Sequence, residues 1–70
     1  MNRYDILGNE VYIGDEVIII EPYYHQFVNA KIIKFTPKGF RVEYYKYSTK
    51  RFEETVVYSV VKGRLHEYNK

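Results

Sequence analysis

The sequence predicts an all-β domain of about five short antiparallel strands curled into a small barrel. Three observations carry that expectation. Runs of β-branched and aromatic residues recur between turn signals, and no helical period of useful length interrupts them. The turn signals are closely spaced, as hairpin-connected strands require. The chain has only 70 residues and no cysteine, so a compact core must hold it without disulfides or thiolate-bound metal.

The elements follow in order. Tyr4–Leu7 and Glu10–Ile13 flank Gly8-Asn9, a pair that tolerates positive φ, which predicts an N-terminal hairpin over residues 4–13. Gly14-Asp15 turns the chain into a first barrel strand, Glu16–Ile20, and Pro22 ends it because proline cannot donate to a ladder. Pro22–Gln26 reads as an irregular loop, followed by a long strand at Phe27–Thr36. Thr36-Pro37-Lys38-Gly39 is a turn signature, with proline presetting φ and glycine relieving the fourth position. Phe40–Tyr47 alternates, with Phe40, Val42 and Tyr44 on one face and Arg41, Glu43 and Tyr45 on the other. Ser48–Lys50 turns the chain into Phe52–Val57. A 3₁₀ turn at Tyr58-Ser59 then precedes a closing strand, Val60–Lys62. Residues 1–63 thus form one domain and 64–70 a C-terminal tail. The expected core is Val17, Ile19, Val28, Ala30, Ile32, Phe40, Val42, Tyr44, Val57 and Val61.

Several residues carry a resemblance to the SH3-like small barrels of the KOW and Tudor type. They are Gly14-Asp15-Glu16-Val17, Ala30-Lys31-Ile32-Ile33-Lys34-Phe35, Thr36-Pro37-Lys38-Gly39-Phe40-Arg41-Val42 and the closing Tyr58-Ser59-Val60-Val61-Lys62. The likeness spans roughly residues 11–63 and implies a five-stranded antiparallel SH3-like barrel. Such barrels bind DNA, RNA, proline-rich peptides, methylated side chains or other proteins. Asp5-Ile6-Leu7-Gly8-Asn9-Glu10 ahead of Gly14-Asp15 also resembles short accessory proteins of large bacteriophages, which implies an origin more than an activity.

Charge is divided along the chain. Residues 1–30 carry one cation against five acids, and residues 31–70 ten cations against four, although the net charge is only +2. A fold that keeps the halves apart presents one face to a polyanion. Tyr44–Arg51, Tyr-Tyr-Lys-Tyr-Ser-Thr-Lys-Arg, concentrates three tyrosines and three cations at an expected hairpin tip without an acid. Rings stack on bases, and cations neutralise phosphates. The first expectation is therefore low-specificity binding of DNA or RNA. Lys34, Lys38, Arg41, Lys46, Lys50 and Arg51 would form one strip, and Tyr45 and Tyr47 would stack. Three to four phosphate contacts would set a log–log salt slope near −3.

The alternative is a protein-interaction module using Tyr23, Tyr24 and His25 with the acidic first half. The resemblance to SH3-like barrels implies that the loop after the first strand lines a ligand groove, where aromatic residues can grip proline, a cation or a partner's side chain. Each patch also has a plainer reading, as a lysine-guarded edge or a tyrosine capping the core. Catalysis is not expected, because the two histidines, His25 and His66, fall in a loop and a tail with no nucleophile beside them. Neither a metal nor a cofactor is expected: no cysteine or tight acid cluster supplies ligands, and no Gly-rich phosphate loop occurs. No apolar run approaches the ~20 residues of a membrane span, and Met-Asn-Arg-Tyr-Asp lacks a secretion signal's apolar segment, so the expected compartment is the cytoplasm. Oligomeric state and the choice between DNA and RNA are not written in these residues.

Overall fold

The computed structural model of the chain describes residues 3–65, which are all-β and arranged as two sheets. The smaller sheet pairs β1 (Arg3–Tyr4) with β2 (Glu10–Val11). The larger sheet contains β3 (Glu16–Ile20), β4 (Phe27–Phe35), β5 (Phe40–Lys46), β6 (Arg51–Val57) and β7 (Val61–Lys62). Its strand order is β6-β5-β4-β3-β7, and every pairing is antiparallel.

The sheet does not close into the expected barrel. β6 and β7 stand at opposite ends of the strand order and do not pair with each other. β7 is two residues long and reaches only Val17 and Ile18 of β3, too short a ladder to bridge back to β6. The segment before β7 is a bend at Tyr58 rather than a 3₁₀ turn.

The predicted N-terminal hairpin forms, yet each of its strands holds only two residues. The chain leaves the ladder at Asp5, whose buried carboxylate gathers the connection around itself. Oδ1 accepts from Leu7 N at 2.9 Å and Asn9 N at 2.8 Å, while Oδ2 accepts from Lys62 N at 2.8 Å and Asn9 Nδ2 at 3.2 Å. Burial pushes the Asp5 carboxyl up, but these donors together outweigh it and hold it below 3.8. Asp5 thereby ties the N-terminal loop to β7.

Alternation places Val17 and Ile19 of β3, Ala30 and Ile32 of β4, and Phe40, Val42 and Tyr44 of β5 in one core, as predicted. Val28 and Val57 pack at its margin with Phe35. Val60, rather than the expected Val61, fills the last place, because Val61 is in register with Ile18 on the other face of β3. Val11 joins the core unexpectedly from β2. β4 carries an irregularity between Ile32 and Lys34 that lets it bend between its two neighbours.

The Thr36–Gly39 turn uses its glycine for space rather than for φ. A Cβ on Gly39 would overlap the Val57 carbonyl oxygen and sit 3.0 Å from Tyr58 Cδ1. Arg3 clamps the same turn, donating to Thr36 O at 2.6 Å and Gly39 O at 3.1 Å. At the other end of the chain, Arg64 pairs with Glu16 at 2.7 Å, and Leu65 N donates to Asn29 Oδ1 at 2.9 Å. The expected tail is thus held at its first two residues, and its remainder, including His66, lies outside the described residues.

Candidate binding surface

Antiparallel pairing decides which loops share an end of the sheet. Ile20 opposite Phe27 closes the loop over residues 21–26, and Lys46 opposite Arg51 closes the turn over 47–50. Because Ala30 is in register with Tyr44, the start of β4 lies beside the end of β5. The loop and the turn are therefore neighbours. The two surfaces expected as alternatives, Tyr23-Tyr24-His25 and Tyr45-Lys46-Tyr47-Lys50-Arg51, meet in one place.

Contacts between them are direct. Lys46 Nζ lies 3.8 Å from the centroid of the Tyr23 ring and 4.0 Å from Glu53 Oε1. Tyr45 makes edge-to-face contacts with Tyr47 at 4.8 Å and Phe52 at 5.3 Å between centroids. A groove of about 260 Å³ runs between Tyr24, Tyr44, Tyr45 and Tyr47. Tyr47 is 80% exposed, and Tyr23, Tyr24 and Phe52 are each more than 60% exposed, so the rings face outward rather than cap the core.

Glu21 sets the loop. Only 4% exposed, it accepts from Tyr23 N at 2.8 Å and Tyr24 N at 2.7 Å, while its backbone bonds to His25 N and Gln26 O close the loop's base. Burial raises its carboxyl, and those two N–H groups, with Lys46 and His25 nearby, reverse the effect and leave it lowered from 4.5. Its charge is spent inside the loop and offers little to a partner. Burial, then Glu21 and Glu53, raise the Tyr44 hydroxyl above 10.0, so it stays protonated at the groove floor.

Among the described residues only two non-glycines take positive φ, His25 at 56° and Lys50 at 57°. One stands in each of these loops. Left-handed backbone at a non-glycine costs about 1 kcal/mol, and such strain clusters where a site requires a set shape.

The six expected cations do not form one strip. Lys46, Lys50 and Arg51 belong to the aromatic end. Lys34, Lys38 and Arg41 belong to the opposite end of β5, roughly 20 Å away at ~3.3 Å per residue along the strand. Glu43 and Glu54 stand between the two groups, facing each other across β5 and β6, and Glu54 pairs with Arg41 at 3.6 Å. Lys46 is tied to Glu53, whereas Lys50 and Arg51 have no acidic partner among the described residues. Phe52 was not legible as a site residue, nor was the role of Glu21 as a buried acceptor within its own loop. Phe52 becomes a site residue only through its register with Tyr45, and Glu21 takes its role only through burial.

Among the described residues no group of three or more His, Cys, Asp or Glu is placed to hold a metal ion, and no helix is long and apolar enough to cross a membrane. No curated protein and no solved structure matches the chain. One family model does match, covering residues 3–66, and its description is "Domain of unknown function (DUF7205)". With nearly its whole length matched, the chain belongs to the DUF7205 family.

Proposed function

We propose that this protein is a non-enzymatic interaction module whose working surface is the aromatic end, and that its partner is a segment of another protein. The observation that carries this reading is the convergence of Tyr24, Tyr44, Tyr45 and Tyr47 around one groove, with exposed Tyr23 held next to it by Lys46 and exposed Phe52 by Tyr45. Rings that touch one another and still stand this exposed fit an interface better than a solvated loop. The segment recognised is extended, with proline or aliphatic side chains for the rings and an acidic residue for Lys50 or Arg51. The strand order β6-β5-β4-β3-β7 supports an SH3-like reading of the larger sheet, since a five-strand meander whose last strand returns to the first is that fold's connectivity.

A second reading, binding of single-stranded nucleic acid, is favoured by one observation: Lys50 and Arg51 close the turn that carries exposed Tyr47, and among the described residues neither has an acidic partner. Glu43 and Glu54 interrupt the path to the other cations, so about two phosphates are neutralised rather than four. The salt slope then falls to roughly −1.4 for a single strand.

The test separates the two. Peptides selected by display on the wild type are titrated, beside a mixed-sequence single-stranded oligonucleotide, into the wild type and two double variants. Tyr24→Ala with Tyr47→Ala is expected to weaken peptide binding at least tenfold, about 1.4 kcal/mol, and Lys50→Ala with Arg51→Ala only a few-fold. Lys46 is left intact because its loss would release Tyr23. Tight oligonucleotide binding abolished by the Lys50/Arg51 pair, with no peptide selected, would overturn the protein reading in favour of nucleic acid.

A further inference from the structure

A second apolar groove shares no lining residue with the aromatic one. It measures about 330 Å³ and runs along the open seam of the sheet, between the end of β6, the Tyr58–Val60 connection and β3. Among the described residues no charged side chain lines it. Ile6, Ile20, Phe27 and Tyr58 stand along its rim at 66%, 54%, 63% and 73% exposure.

We propose that this face is the two-fold interface of a homodimer in solution. Three observations select a second copy as the occupant. The first is area. The four rim residues expose roughly 500 Å², so two copies meeting face to face bury up to about 1,000 Å², the total at which a specific interface begins. The second is shape. A two-fold interface must complement itself, and here projecting side chains stand beside a hollow, so Tyr58 of each copy enters the groove of the other. The third is charge. The chain carries net +2, yet an uncharged lining brings no like charges together when the face meets its own copy. The same contact covers an edge that no described strand pairs with. β6 ends the strand order; its early residues Arg51 and Glu54 guard their part of the edge with charge, whereas Val56 and Val57, beside the groove, have no such guard.

The experiment is sedimentation of the full chain across concentrations up to about 100 µM, a range that detects a dimer of micromolar affinity. The wild type is expected at twice its 8.5 kDa mass. Tyr58→Lys and Ile20→Lys, each a change at an exposed side chain, are expected to raise the dissociation constant at least tenfold with an unchanged circular dichroism spectrum. If one of the two fails to fold, the other decides. Tyr24→Ala with Tyr47→Ala is expected to leave the dimer intact, which separates this proposal from the one for the aromatic end. A wild type that stays monomeric throughout overturns it and leaves the groove to a different occupant. So does a dimer that survives the folded lysine variants, or one that the aromatic variants dissociate.

Discussion

Replacing Asp5 by Asn removes one oxygen from a buried carboxylate and changes almost nothing in volume. If the amide oxygen keeps the place of Oδ1, the N–H groups of Leu7 and Asn9 remain satisfied. The amide nitrogen then faces Lys62 N and Asn9 Nδ2, both of them donors, so two charge-assisted bonds are lost. Flipping the amide only transfers the loss to Leu7 and Asn9. Bonds to a charged acceptor contribute about 1.5–3 kcal/mol each, and partial relaxation recovers some of this, which leaves a cost of roughly 3 kcal/mol. A 70-residue domain holds only about 4–10 kcal/mol in all, so the loss is severe. The measurement is urea unfolding followed by circular dichroism, with a thermal midpoint expected roughly 15 °C lower. The pH dependence gives a second check. The carboxyl of Asp5 is lowered in the folded state, so its contribution is complete above 3.8 and disappears as pH falls through the folded value. Glu21, lowered from 4.5, acts in the same sense in both proteins, so the difference between wild type and variant isolates Asp5. That difference is expected to shrink below pH 3.8. A loss under about 1 kcal/mol at neutral pH, or a difference that grows on acidification, refutes the role given to this carboxylate.

Two further substitutions probe the turns. Gly39→Ala drives a methyl into the Val57 carbonyl and is expected to cost about 2–3 kcal/mol in urea unfolding; a neutral result would mean the turn does not press on β6 as described. Lys50→Gly relieves the left-handed residue of the 47–50 turn and is expected to stabilise the domain by about 0.5–1 kcal/mol, while removing one cation from the aromatic end and so weakening capture of acidic peptides. Destabilisation by Lys50→Gly would show that the strain at this position is imaginary.

Local chemistry made much of the fold legible. Two-residue alternation assigned the inward faces of β3, β4 and β5, and Pro22 and the Pro37-Lys38-Gly39 turn marked where strands stop. The errors fell where distant segments compete for the same place. Val60 displaced Val61 because the register of β7 with β3 selects the inward residue, and a one-residue slip exchanges the faces of a strand. Val11 entered the core because the N-terminal hairpin folds over the sheet, and no local signal in Glu10-Val11-Tyr12 reports that.

Alone, the sequence determined the all-β class, the strands and most of the core, because these depend on side-chain period and turn residues within a few positions of each other. Only the tertiary structure decided that the sheet stays open, that Asp5 and Glu21 are buried acceptors, and that two loops about 25 residues apart build one aromatic groove. It also decided that the later cations divide between opposite ends of β5. Position along a chain says nothing about which end of an antiparallel strand a residue occupies until the register is known, and register is set by contacts between segments far apart in sequence.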